Sequence, residues 1–571
     1  MKNSFRNGLI ACALTLSISV VRAQPTNATS APAWPKADPA AVARWQDMRF
    51  GMFIHWGPVS LTGHEIGWSR GKETPIATYD SLYKKFNPTN YNAAEWVSAA
   101  KAAGMKYIVL TTKHHDGFCL WDTQQTDYNI MNTPFKRDVV KELAAACKKQ
   151  GIAFGTYYST CDWHHPDFPL TSPGGKVTRA KSDLDSYQRY LLAQIKELIT
   201  NYGPLITIWN DVPQKFQGRG AATIKMVREL QPDILINNRT GDGGDYDTPE
   251  QRVGKYQDDR PWETCMTICR QWSWKPNDDM KSLKQCLQTL VTCAGGDGNL
   301  LFNVGPTADG IIEARQVERL KEMGAWLAKN GDSIYGTRGG PYKPTKSVAA
   351  TRKGNVIFIH ITAWPAETLT LPPLPAKIVK SHVLTGGAAT VKQTEAGIEI
   401  SVPAASRQEI DTIVALELDK PAMEISSISV SLAGESLTTH KKAHASNVYE
   451  NNQNRFGADK AVDGEDQTRW ATDGNAKQSW IEVDLGRNET FDRAVIQECI
   501  DFDARVQSFE LQIKDGISWK TFYKGGLIGK RLEVKFDPIN ARIVRLSLNS
   551  VKGPSIHEFD LFAPVANKTE P

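Results

Sequence analysis

From about Ala41 to Gly340 the chain repeats one pattern: a short β-rich run, then an amphipathic stretch, then another β-rich run. The β-rich runs are Arg49–His55, Tyr107–Thr112, Ile152–Tyr158, Leu205–Trp209 and Ile234–Asn237. Between them, Asn92–Ala103, Asp138–Gln150, Asp183–Tyr202 and Ala221–Gln231 carry apolar residues at helical spacing, with Gly104, Gly151 or Pro204 as stop signals. Strand then helix, repeated over some three hundred residues, predicts parallel strands joined by helical crossovers. A (β/α)8-type TIM barrel over 41–340 fits best. The rival, an open doubly wound sheet, is weakened because no Gly-rich phosphate loop follows any of the runs.

The rest of the 571 residues needs other architecture. Over 341–422 the strand-like segments Asn355–Thr362, Ile378–Val383, Gly397–Val402 and Asp411–Leu418 follow one another with Pro and Gly turns and no helices, which predicts an antiparallel β-sandwich. A second all-β unit is expected over 425–565. At the other end, Lys2 and Arg6 precede the apolar run Leu9–Val21, and Val21-Arg-Ala23 gives a small-x-small cleavage pattern, so 1–23 reads as a signal peptide. The run is too short for a membrane span. Export to the periplasm or beyond would permit disulfides. The eight cysteines beyond it, however, lie far apart in core-like segments and read as buried thiols. A net charge of +5, scattered along the chain, gives no basic patch for nucleic acid.

Strand C-terminal ends are where a barrel displays its chemistry. Asp211 closes the run Leu205-Ile-Thr-Ile-Trp-Asn-Asp211 before Pro213, so it is the first candidate for catalysis. The other ends carry His55-Trp56, Lys113-His-His-Asp116, Tyr157-Tyr158 and Asn237-Asn-Arg239. His55, His114, His115 and Asp116 have metal-ligand chemistry, but neighbours on a strand point to opposite faces, so His114 and His115 could share an ion only if the loop curls. Carboxylates backed by histidines and aromatics suit sugar hydrolysis better, with two carboxyl groups as nucleophile and acid/base.

The motifs Phe53-Ile-His-Trp-Gly57, Thr112-Lys-His-His-Asp-Gly-Phe118, Phe154-Gly-Thr-Tyr-Tyr158, Ile208-Trp-Asn-Asp211, Asn237-Asn-Arg239, Trp262-Glu-Thr-Cys265 and Gly298–Pro306 resemble, in order, the glycoside hydrolase family 29 α-L-fucosidases. The resemblance implies a retaining hydrolase of fucosylated oligosaccharides or glycoconjugates that needs no catalytic cofactor. It makes Asp211 the nucleophile and lines a fucose pocket with His55, Trp56, Glu65, Trp68, His114, His115, Tyr157, Trp209, Arg239 and Trp262. For the acid/base it offers Glu250, in a loop with a Gly-rich approach, or Glu263, at the start of a strand; the loop position suits proton donation to a leaving group better. A sugar-binding protein without catalysis and a metal-dependent hydrolase are the other functional readings. Farther on, Ala458–Gly464 with Asp466, Thr468, Arg469 and Trp470, then Ser479–Gly486 and His557–Phe562, resemble the discoidin-like (F5/8 type C, family 32 carbohydrate-binding) modules. That resemblance implies a jelly-roll sandwich with a structural Ca²⁺ near Asp463, Asp466, Thr468 and Glu558, all oxygen donors of suitable hardness.

Overall fold

The computed structural model describes residues 35–173, 179–213, 215–430, 432, 434–464, 468–500 and 503–564. The expected signal peptide and Asp466 lie outside them. In chain order the first part runs α1 (Pro39–Met48), β1 (Phe50–Ile54), α2 (Ile76–Ser81), α3 (Ala93–Ala102), β2 (Tyr107–Lys113), α4 (Val139–Gln150), β3 (Ala153–Ser159), α5 (Leu184–Asn201), β4 (Thr207–Asp211), α6 (Ala221–Leu230), β5 (Leu235–Ile236), β6 (Glu263–Thr267), α7 (Leu283–Gly295), β7 (Asn299–Val304) and α8 (Ala314–Asn330). Three of the four predicted helices start where a side chain satisfies the free N–H groups of a first turn: Asn92, Asp138 and Asp183 accept from backbone amides of α3, α4 and α5, whereas α6 follows Gly220 without such a cap. Gly151 ends α4 at φ 73, and Ser282 and Gln285 form a capping box on α7, a helix not among those predicted.

The strands pair in the order β5-β4-β3-β2-β1-β7-β6, and all contacts are parallel. The ring is closed by an irregular segment rather than a regular strand. Tyr246 bridges Asn237 beyond β5, while Asp247 and Glu250 bridge Trp262 and Cys265 along β6. Here the structure departs from strict alternation, because no helix separates β5, this segment and β6. The segment that replaces the helices carries Glu250.

Period-two alternation sorts the strand residues onto two faces. Phe53, Tyr107, Val109, Tyr157, Trp209, Leu235, Tyr246, Cys265 and Leu301 fill the inside of the barrel. Phe50, Met52, Ile54, Ile108, Leu110, Ile208, Leu300 and Phe302 face the helices in a larger outer core. Gly51 is required inside because a Cβ there would sit 2.4 Å from the ring of Tyr107.

After the short β8 (Arg338–Gly339), strands β9 (Val348–Lys353), β10 (Val356–Ile361), β11 (Thr368–Leu371), β12 (Ile378–Val383), β13 (Thr390–Thr394), β14 (Gly397–Ser401) and β15 (Thr412–Leu418) form sheets ordered β12-β15-β10-β9-β8 and β11-β14-β13 around one apolar core. Ile425, Ile428 and Leu432 pack with this core, so these three go with the first sandwich rather than the second. The last unit pairs β16 (Lys442–Ala445), β17 (Trp470–Ala471), β18 (Gln478–Glu498), β19 (Val506–Asp515), β20 (Ser518–Gly525), β21 (Leu532–Ser550) and β22 (Ser555–Phe562) antiparallel around its own core, with register shifts where the long strands bend. The eight described cysteines are all buried.

Candidate active site

Asp211 is the last residue of β4 and lies on the inner face, two residues above Trp209. Its carboxylate is enclosed by donors. Arg239 Nη1 donates to Oδ1 at 2.8 Å, Tyr157 OH donates to Oδ2 at 2.8 Å, and the Val212 amide donates to Oδ1 at 2.8 Å. Burial alone would push this carboxyl up, but Arg239, His115 and the bonds from Arg239 and Tyr157 outweigh it and hold it below the ordinary aspartate range. The group is therefore an anion aimed into the barrel mouth. Val212, β-branched, is held at φ 45, a costly conformation that turns its amide back onto Asp211.

Glu250 faces Asp211 across a single guanidinium group. Arg239 Nη1 donates to Glu250 Oε2 at 2.9 Å as well as to Asp211 Oδ1 at 2.8 Å, so the oxygens are no farther apart than those two bonds laid end to end. That spacing accommodates the ~5–5.5 Å of a retaining carboxylate pair. The Glu250 side chain is 41% exposed, against 12% for Asp211. Thr248 fixes the arginine itself, accepting from Nε at 2.9 Å and, through its carbonyl, from Nη2 at 2.8 Å.

The histidines are neutral donors and acceptors rather than cations. Burial pushes His55 down to about 3 and His115 down to about 4, and it holds His114 well below the ordinary range. Asn303 donates its Nδ2 to the Trp272 carbonyl at 2.7 Å, which leaves its Oδ1 to accept from His55 Nδ1 at 2.6 Å. Ser159 donates to the Cys161 carbonyl at 2.7 Å, so its oxygen accepts from His115 Nδ1 at 2.7 Å. In both rings Nε2 is then the acceptor. His115 Nε2 stands 3.7 Å from Asp211 Oδ2, two neighbouring acceptors, either of which can take the hydrogen of a ligand hydroxyl.

Both histidines of the His114-His115 pair reach the site. The register of β2 on β3 shifts between Thr111 and Lys113, and beyond this bulge the chain curls so that the two rings lie 3.9 Å apart. Gly67, at φ 65, leaves room for them, since a Cβ there would be 2.6 Å from His114 Nδ1. Lys113 is drawn the other way, into a buried ion pair with Asp162 at 3.2 Å, and Asp162 caps the loop holding Trp163 and His164. Among the described residues no three His, Cys, Asp or Glu side chains converge as a metal ion would need.

Of the other expected pocket residues, Trp68 is 38% exposed at the mouth, edge-on to His115 and Trp163. Trp209 stacks on Tyr157 and lies under the Arg239 guanidinium at 4.8 Å. Glu65 is a strap: it accepts from the amides of Trp272 at 2.9 Å and Ser273 at 3.1 Å, tying the loop after β1 to the loop after β6. Trp56 and Trp262 are corrections. Each is one residue away from an inward-facing position, so the alternation turns both toward the helices. Trp56 packs against Phe86, Tyr91 and Trp96 and donates to the Thr307 carbonyl at 2.8 Å, while Trp262 donates to the Gly296 carbonyl at 3.0 Å. Trp56→Ala is expected to cost ~3–5 kcal/mol in stability while the folded fraction keeps its KM, checked by denaturant titration beside steady-state kinetics.

Sequence reasoning missed Trp272, whose ring lies 4.8 Å from His55 and 6.0 Å from Phe53, and Asn303, which orients His55. Trp272 lies five residues past the end of β6, beyond the strand-end positions considered.

Comparison with known proteins gives the family. The α-L-fucosidase family model matches residues 17–332, and the F5/8 type C domain model matches 442–559. An α-L-fucosidase from Branchiostoma floridae is 30% identical over 66% of this chain and 93% of its own. Among solved structures, α-L-fucosidase isoenzyme 1 from Paenibacillus thiaminolyticus superposes with a TM-score of 0.61 at 34% identity, covering 66% of this chain and 99% of that one. A family 29 α-L-fucosidase from Bacteroides thetaiotaomicron, a trapped covalent intermediate in complex with 2-fluoro-fucosyl fluoride, superposes with a TM-score of 0.61 at 27% identity over 67% of this chain and 97% of that one. The chain therefore belongs to the α-L-fucosidase family, glycoside hydrolase family 29, and carries an F5/8 type C domain toward its C-terminal end.

Proposed function

We propose that the protein is a retaining α-L-fucosidase that removes terminal α-L-fucosyl units from glycans, with Asp211 as nucleophile and Glu250 as acid/base. The carrying observation is one arginine joining a buried, ionised carboxylate at a strand end to a half-exposed carboxylate on a loop. A fucosyl unit entering between them would draw Glu250 off Arg239 toward the glycosidic oxygen. Asp211 Oδ then attacks the anomeric carbon, the C1–O bond breaks, and the Glu250 proton goes to the departing oxygen. In the second step Glu250 takes a proton from water, the water oxygen attacks C1, and the Asp211 ester bond breaks to release fucose with its configuration retained. The acceptor Nε2 atoms of His55 and His115 receive sugar O–H groups, and Trp68, Trp272 and Tyr157 supply apolar faces for the C–H surfaces. Release of β-configured fucose, first seen by NMR from an α-fucoside, would contradict the reading; α-configured fucose is expected.

The leader-like first 23 residues support export, to the periplasm or beyond. In the C-terminal module Thr468 donates to Asp463 Oδ1 at 2.8 Å and to the Lys460 carbonyl at 3.2 Å, and Glu558 is buried nearby on β22. These hard oxygens fit a structural calcium, which would brace the loop and take no part in hydrolysis. Calcium is expected to raise the midpoint for thermal unfolding of this module and EDTA to lower it, with aryl-fucoside hydrolysis unchanged by either. Truncation after Leu432 should likewise spare small-substrate hydrolysis and weaken retention on a polymeric fucosylated glycan, because a second linked site raises effective concentration. Equal glycan retention by the short and full chains would refute the sugar-binding role.

A further inference from the structure

We propose that Glu263 is a positioning residue: from the floor of the barrel it fixes the Trp209 indole, and through it the two side chains that hold the nucleophile. This rests on the assignment of Asp211 above. Glu263 opens β6, with its side chain inside the barrel and no solvent exposure. Its register partner is Asn299, whereas Thr267, four residues on, pairs with Asn303 beside the pocket. It therefore lies ~13 Å below the mouth and touches no sugar.

Its two oxygens are both used. Tyr107 OH donates to Oε2 from β2, and Trp209 Nε1 donates to Oε1 at 3.1 Å from β4, so one carboxyl ties three strands across the barrel. The indole it holds is a platform. Tyr157 stacks on it with ring centroids 5.5 Å apart and planes at 21°, and the Arg239 guanidinium rests on it at 4.8 Å. Tyr157 and Arg239 are the side chains that donate to Oδ2 and Oδ1 of Asp211. A tilt of the indole moves both donors together, and displacements of ~1 Å at such a site can cost on the order of 100-fold in rate.

A buried carboxyl is an expensive way to fill a barrel floor, and burial pushes this one up to about 7. It faces Tyr107, Trp209, Tyr246 and Cys265, none of them a cation. What it supplies that an apolar residue cannot is a fixed acceptor for the Trp209 N–H. Asp211, by contrast, is faced by Arg239, His115, His55 and Tyr157, with Glu250 sharing the arginine and the Cys161 and Cys265 thiols alongside. If Arg239 and Tyr157 slacken, burial dominates, the Asp211 carboxyl rises, and the acidic limb of kcat/KM moves to higher pH.

The test compares Glu263→Leu, Glu263→Gln and Trp209→Phe in the full chain. Glu263→Leu should lower kcat/KM by ~10–100-fold on aryl fucosides and natural glycosides alike, without azide rescue. It should also move the acidic limb up by about one pH unit. Glu263→Gln keeps an acceptor for the indole and should leave the limb in place. Trp209→Phe lacks the N–H and should reproduce the shift, with no further shift when combined with Glu263→Leu. An unmoved limb in Glu263→Leu, with only lower thermal stability, overturns the proposal; if that variant does not fold, an unmoved limb in Trp209→Phe does so. A loss confined to poor leaving groups, rescued by azide, would instead show Glu263 to be the acid/base and overturn that part of the mechanism as well. Retained activity in Asp211→Asn would remove the nucleophile assignment without touching the packing argument.

Discussion

Asp211→Asn is expected to lower kcat on every fucoside by about 10⁴-fold or more, because the variant keeps the shape of the side chain and loses the carboxylate proposed to form the bond to C1. Folding should survive. The asparagine Oδ1 can still accept from Arg239 and the Val212 amide, and its Nδ2 can donate to the Tyr157 hydroxyl oxygen in place of the bond the carboxylate accepts there. Unchanged circular dichroism and thermal midpoint, together with the loss of turnover, would separate a chemical role from a structural one. Activity within tenfold of the parent enzyme would sink the assignment. Asp211→Ala should be as inactive but less stable, since it removes one of the two carboxylates that balance the Arg239 charge and leaves Glu250 alone.

The second large effect depends on the leaving group. A general acid matters most when the departing oxygen is a poor leaving group, so Glu250→Ala should cripple natural glycosides by about 10³-fold or more. Hydrolysis of an activated aryl fucoside should suffer much less in its first step and become limited by the second. Azide, filling the space left by the carboxylate and needing no base, should then restore turnover and yield a fucosyl azide of retained configuration. The geometry favours Glu250 over Glu263 for this role. Glu250 is on the loop beside Asp211 with its side chain 41% exposed, whereas Glu263 is sealed on the barrel floor with both oxygens occupied. Leaving-group dependence and rescue in a Glu263 variant, with Glu250 a bystander, would exchange the two roles.

Much of this was legible in the sequence because barrel chemistry is written at strand ends and strand ends are marked by composition. Leu205–Asp211 reads as a buried strand closing on an acid, and Asp211 ends β4. The helices with polar caps were placed to within a residue or two for the same reason, since Asn92, Asp138 and Asp183 are visible signals. Four things were not legible. The alternation that turns His55 inward turns Trp56 outward, but a motif such as Phe53-Ile-His-Trp-Gly57 presents both as one unit. The bulge at Thr111–Lys113, which brings His114 and His115 to the same side, is a register event between strands and has no mark in one of them. The missing helices between β5 and β6 arise because Asn237–Trp262 is held by isolated bridges and side-chain bonds, such as those from Arg239 to Thr248, rather than by a periodic apolar face. Trp272 belongs with these. Its place beside His55 depends on Glu65 reaching across from another loop.

A covalent bond between the sugar and Asp211 can be caught by peptide mass spectrometry after incubation with 2-deoxy-2-fluoro-fucosyl fluoride. The fluorine slows both steps, the fluoride leaves without a proton, and the intermediate accumulates. One fluorofucosyl unit per chain is expected, on the peptide that contains Asp211, and no label in Asp211→Asn. A label on a peptide containing Glu250 or Glu263, or the same labelling in Asp211→Asn, would contradict the assignment of Asp211.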